Sequence, residues 1–217
     1  MYASLFNAQH YGNYEYIPYI YAIMQNGIIQ IFKAQKGYLQ SRQLESRAQQ
    51  YQLKKLVDQG DVVMVKRGLY KHVQLAVDND WVEVCRIVPN GYLCLFSAWH
   101  FYEMTTHVPA SYYMAIPNKA KIVLPTYPPV KIFYWSSEHY SLGRENLKSK
   151  EGIISIYNIE KSVCDAIKFR NKVGKEMTSE VLKNYLKRTD RNIDMLLSYS
   201  RVLRVEKTLN QYMEVLL

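Results

Sequence analysis

One short stretch of the chain collects side chains suited to nucleic acid: Arg47, Gln50, Tyr51, Lys54 and Lys55. At helical spacing Arg47, Tyr51, Lys54 and Lys55 share one side, with Gln50 on its edge. Leu53, Leu56 and Val57 take the opposite side, where a core is expected. An arginine can pair bidentately with guanine and a glutamine with adenine, while lysine and tyrosine suit phosphate oxygens. A little further on stands Lys66-Arg67-Gly68. Its glycine permits a tight turn and its two cations are expected to point outward. A basic helix face taken alone usually means no more than a solvated surface. What favours recognition is the order of the elements around it.

Those elements read as follows. Residues 18–35 have helical periodicity through Ile20, Ile23, Met24, Ile28, Ile31 and Phe32, with Gly27 as a possible break and Gly37 as the stop. Ser41 is expected to cap a short helix ending at Leu44. Ser46 followed by Gln49 fits a capping box that opens a helix from Arg47 to Gln59, closed by Gly60. Val62–Val65 and Leu69–Val73 read as two strands about the basic turn. Helix, short helix, helix and a two-stranded wing make a winged helix-turn-helix, which lays a helix in the major groove and reaches a neighbouring groove or backbone with its hairpin.

The rest of the chain is mixed. Asp80–Ile87 and Leu93–Met104 suggest helices around the Pro89-Asn90-Gly91 turn. Tyr112–Ile116, Val130–Trp135 and Ile153–Tyr157 are β-rich. Residues 159–169, 176–187, 191–203 and 205–217 are helical in pattern. The expected fold is therefore α+β, an N-terminal winged helix-turn-helix followed by a mixed α/β domain that ends in a helical cluster. The polar segment Asp78-Asn79-Asp80 sets the boundaries at 1–76 for the DNA-binding domain and 80–217 for the second.

Enzyme chemistry has little to stand on. His100 and Glu103 are three apart on an expected helix, and His107, His139, Glu138 and Asp165 lie in the same half. No nucleophile–base–orienter set emerges, no phosphate-binding glycine loop appears, and no catalytic residue is assigned. Asp165 reads better as a partner for Lys161 or Lys168. Cys85, Cys94 and Cys164 form no CxxC pair and sit in apolar contexts, as buried reduced thiols of a cytoplasmic protein would. No ligand spacing suits a structural metal, and no cofactor is expected. Aromatic runs such as Tyr112-Tyr113 and Phe133-Tyr134-Trp135 read as core strands before base-stacking platforms.

Composition agrees with a folded, polyanion-binding chain. Of 217 residues 48% are hydrophobic, with 20 tyrosines, enough for a packed core. No apolar run approaches a membrane span, and the start lacks a signal-peptide pattern. The net charge of +9 is concentrated. Residues 33–72 carry nine Lys or Arg against Glu45, Asp58 and Asp61, a net of +6. Residues 161–188 carry eight against Asp165, Glu176 and Glu180, a net of +5.

The anchors of the first half resemble a known pattern. Lys36-Gly37-Tyr38-Leu39, Leu44, the run Leu53-Lys54-Lys55-Leu56-Val57-Asp58-Gln59-Gly60 and Val65-Lys66-Arg67-Gly68-Leu69-Tyr70 look like the N-terminal domain of the AbiEi antitoxin family. Downstream, Ser97-Ala98-Trp99, Tyr112–Pro117, Glu160-Lys161-Ser162-Val163-Cys164-Asp165-Ala166 and Tyr185-Leu186-Lys187-Arg188 resemble motifs of its second domain. Lys161 and Ser162 stand where that family has an Arg-Thr pair, and residues 1–26 have no counterpart.

The resemblance implies the antitoxin of a bacterial toxin–antitoxin system linked to abortive infection. Such a protein represses its own operon by binding double-stranded operator DNA. Its second domain neutralises a nucleotidyltransferase-like toxin without necessarily forming a stable complex. On this reading a cationic helical face of Lys161, Lys168, Arg170, Lys172 and Lys175 engages the toxin, or competes for a nucleic-acid or nucleotide ligand that the toxin needs. Two other readings remain open: a plain winged-helix transcriptional regulator whose second domain senses a ligand or dimerises, and a nuclease guided by the winged helix.

Overall fold

The computed structural model describes residues 27–216. The chain is mixed α+β and divides into two compact units, one ending at Val77 and one beginning at Asp78.

In the first unit, residues 27–34 are helical (α1). Strand β1 (Tyr38–Gln40), a 3-10 turn (Ser41–Gln43), helix α2 (Arg47–Asp58) and strands β2 (Val62–Lys66) and β3 (Leu69–His72) follow. The strands form an antiparallel sheet in the order β1-β3-β2. Ile28 and Phe32 of α1, Leu39 of β1, Leu53 and Leu56 of α2 and Val62 of β2 make one buried cluster. Full burial of a leucine contributes about 1.5–3 kcal/mol, so α2 is held chiefly by its inward face. Residues 18–26 of the expected first helix, and the possible break at Gly27, fall outside the described residues.

Gly37 ends α1 as expected. Its N–H donates to the Phe32 carbonyl over 2.7 Å and its φ is +85°. A Cβ there would stand 2.3 Å from backbone atoms of Ala76, so no larger residue fits. Ser41 departs from expectation. It is the first residue of the 3-10 turn, not its cap, and the Gln40 N–H is satisfied by the Gln43 side chain over 2.7 Å.

The second unit runs α3 (Asp80–Ile87), β4 (Tyr92–Leu93), α4 (Leu95–Phe101), β5 (Tyr112–Pro117), β6 (Val130–Trp135), α5 (Ser137–Ser141), β7 (Arg144–Lys148) and β8 (Ile153–Tyr157). Helices α6 (Ile159–Lys168), α7 (Arg170–Val173), α8 (Lys175–Leu186), α9 (Ile193–Val202) and α10 (Glu206–Leu216) complete it. Its mixed sheet has the order β6-β5-β4-β8-β7, with β5–β6 and β4–β8 parallel. Helix α6 lies inside the helical cluster, touching α4, α8, α9 and α10. Asn79, Ser136, Asn158 and Asn192 each accept a backbone N–H at the start of a helix, as good N-caps do.

Three local expectations need correction. The helix expected over 93–104 is only Leu95–Phe101, because Leu93 is taken into the sheet opposite Met114 and Ile156. Glu103 lies past the helix end with a φ of +57°, so it does not share a helical face with His100. Cys85 is only half-buried, whereas Cys94 and Cys164 are buried, and all three are free thiols.

Candidate nucleic-acid interface

Helix α2 begins where its sequence says it should. The Ser46 hydroxyl accepts the Gln49 N–H over 3.2 Å, and Gln49 Oε1 accepts the N–H groups of Glu45 and Ser46 at 2.7 and 3.3 Å. That reciprocal cap fixes the first turn. Burying Leu53 and Leu56 then fixes the rotation of the helix about its axis. Arg47, Gln50, Tyr51 and Lys54 are consequently all exposed, Tyr51 at 64%. Lys55 is half-buried on the flank. Gln52 is buried beside the leucines, a polar residue the periodicity did not place there.

The first turn of α2 carries no acidic side chain. The positive end of the helix dipole therefore adds to Arg47 rather than opposing it. The exposed side offers two planar hydrogen-bonding groups, an arginine and a glutamine, together with a lysine and a phenol. That set can contact base edges and phosphates at once.

Hairpin β2–β3 supplies the second basic element. Arg67 and Gly68 form its turn, and Arg67 is exposed. Lys66 differs from expectation: it is the last residue of β2, half-buried, and burial lowers its ammonium pKa. Its charge is thus presented less freely than that of Arg67. The register slips between Met64 and Lys66, which places Met64 opposite Tyr70 and Lys66 opposite Leu69. The turn is anchored from outside the hairpin, since the Ser41 N–H donates to the Gly68 carbonyl over 2.9 Å.

Sequence reading missed the space between these elements. A cleft of about 300 Å³ is lined by Ser41 and Leu44, by Gln50, Leu53, Lys54 and Val57 of α2, and by Met64 and Tyr70 of the hairpin. Met64 is 58% exposed. The available signal was strand alternation, which puts Met64 on the same side of β2 as the core residue Val62.

In the second unit one member of the expected cationic face, Lys161, is withdrawn from the surface. Lys161 is fully buried, with its Nζ 2.7 and 2.8 Å from the two Asp165 carboxylate oxygens. It also lies 4.1 Å from the Trp135 ring centre and 4.5 Å from that of Tyr157. Helix α6 faces the core here, so a lysine in this position turns inward and needs an ion partner. Lys168 donates to the Leu203 carbonyl and Arg170 to that of Ile167, each over 3.1 Å; Lys168, Lys172 and Lys175 are exposed and Arg170 is half-buried.

His139 completes a buried cluster. Its Nε2 lies 2.8 Å from Asp165 Oδ1 and its ring stacks on Trp135 at 4.1 Å. Burial lowers the pKa of both Lys161 and His139, with Asp165 opposing the shift in each. The Asp165–Lys161 pairing agrees with sequence expectation. The arrangement is an interior ion pair, and the geometry suits a structural tie.

Among the described residues, no group of His, Cys, Asp and Glu could hold a metal ion, and no helix is long and apolar enough to cross a membrane. No protein-family model matches the chain, and no curated protein matches it.

Proposed function

We propose that the first unit is a winged helix-turn-helix that binds double-stranded DNA. In this reading α1, the 3-10 turn and α2 form the helical part, and hairpin β2–β3 is the wing. The observation that carries it is the exposed side of α2, where Arg47, Gln50, Tyr51 and Lys54 stand together with no acidic residue in the first turn and Asp58 only at the far end of the helix. The antiparallel pairing of β2 and β3 supports it, with β2 packed on α2 and Arg67 exposed in the turn between the strands. Arg47 and Gln50 read bases, Tyr51 and Lys54 touch bases or backbone, and Lys55 and Arg67 meet phosphates, with a lesser part for Lys66.

For the whole chain we propose a DNA-binding autorepressor and antitoxin that neutralises a nucleotidyltransferase-like toxin encoded beside it. This rests on the resemblance of its motifs to the AbiEi antitoxin family. The second unit, with its own core, then carries neutralisation, and neither unit is assigned catalysis. With Lys161 buried, the residues left to face a toxin or its ligand are the exposed Lys168, Lys172 and Lys175, with the half-buried Arg170 beside them.

Growth rescue tests the two halves together. Cells expressing the neighbouring toxin receive the full chain, an Arg47→Ala/Lys54→Ala variant, or the chain cut after Val77. Rescue by the first two and not by the third is expected. Rescue by the cut chain alone would assign protection to repression, and rescue by none would leave a plain winged-helix regulator.

A further inference from the structure

The cleft beside α2 has the wrong chemistry for phosphate. Leu44, Leu53, Val57 and Met64 make its wall apolar, on a unit whose exposed helix face is cationic. Gln50 and Lys54 belong both to that outward face and to the rim of the cleft. A duplex laid against α2 therefore brings its base edges to the rim. The major groove offers one apolar group, the C5-methyl of thymine.

Resting on the DNA-binding reading, we infer that this cleft receives the methyl edge of a thymine next to an adenine paired with Gln50. Met64 is then a specificity-determining residue. Its position follows from the fold: it lies opposite Tyr70 in the hairpin and projects to the α2 side, as Val62 does. At 58% exposure it has apolar surface left to cover, and the cleft, at about 300 Å³, has volume for a methyl group. Covering Met64 with a methyl group removes apolar area from water without disturbing the neighbouring amide–adenine contact.

The test uses the full chain and a duplex it recovers from a random-sequence pool. The same duplex is then made with deoxyuridine for thymidine, which removes the methyl groups and keeps every Watson–Crick pair. Wild type is expected to bind the uracil duplex about 4–15-fold more weakly, the scale of one or two buried methyl groups. Met64→Ala should bind both duplexes alike, and Met64→Leu should restore the difference. Because Met64 is exposed, both variants should melt with wild type. Equal binding of the two duplexes by wild type overturns the inference and leaves the DNA-binding reading intact. So does undiminished discrimination in Met64→Ala. If the chain recovers no duplex from the pool, the DNA-binding reading falls and the inference falls with it.

Discussion

The backbone N–H of Ser41 donates to the carbonyl oxygen of Gly68 over 2.9 Å. This bond joins the 3-10 turn that precedes α2 to the tip of the β2–β3 hairpin. The side chains assigned to bases and the arginine assigned to phosphate thus share one scaffold. Gly68 has a φ of +80°, and a Cβ there would stand 3.1 Å from Ser41 Oγ. Gly68→Ala should cost about 1–2 kcal/mol of stability, the scale of a non-glycine residue held in the left-handed region. It should also weaken DNA binding with every charge unchanged. Urea unfolding at equilibrium checks the first part, and an unchanged midpoint would show that the turn tolerates a side chain.

Arg67 and Lys66 should separate in a salt titration. Arg67→Ala is expected to lower the slope of log affinity against log salt by about 1, as loss of one phosphate contact does. Lys66→Ala should change it less, since Lys66 is half-buried at the end of β2. Equal effects would put both cations on the backbone.

The Lys161–Asp165 pair should behave as a buried tie. Removing one partner strands the other charge inside the protein, so Lys161→Met or Asp165→Asn should each cost about 3–5 kcal/mol. The double variant Lys161→Met/Asp165→Asn should recover a large part of that loss. Chemical denaturation of all three against wild type measures the coupling. Additive losses would mean that the two side chains act independently.

His139 gives the second unit an acid-side sensitivity. Burial holds its imidazole pKa below the ordinary value of about 6.5, with the Asp165 carboxylate opposing and Lys161 and Lys168 adding to the shift. The folded chain therefore takes up this proton less readily than the unfolded one. The resulting stability is fully present above pH 6.5 and declines as pH falls from there through the folded pKa. Thermal melting at pH 7.5 and 5.5 should show a larger drop for wild type than for His139→Gln, which keeps a donor near Asp165 without titrating. Equal drops would remove His139 as the cause.

Much of the scaffold could be read from sequence, because several signals agreed locally. The Ser46–Gln49 capping box, the Leu53/Leu56 stripe and Gly60 bracket α2 as Arg47–Asp58. Asp80–Ile87, Val130–Trp135 and Ile153–Tyr157 fall where pattern placed them. What escaped depended on tertiary context. Strand β4 has two residues, too few for any alternation, and exists through its partners β5 and β8. Strand β7 reads Arg-Glu-Asn-Leu-Lys, as a charged edge strand does, and resembles a loop. In sequence Lys161 belongs to a charge run, and such runs usually are solvated. Only the packing of α6 on several sides shows that this turn has no solvent face. The exposed side of α2 followed from one helix wheel, whereas the cleft at Met64 needed three elements brought together.

On the proposed function, the exposed side of α2 reads duplex DNA. This is tested most directly by fluorescence anisotropy of the full chain with a labelled duplex recovered from a random pool, beside Arg47→Ala and Gln50→Ala. Binding that weakens with salt is expected for wild type. Each variant should lose about 1–3 kcal/mol on that duplex and discriminate less at a single base pair. Absence of duplex binding at low salt, or variants that match wild type in affinity and discrimination, would contradict the account.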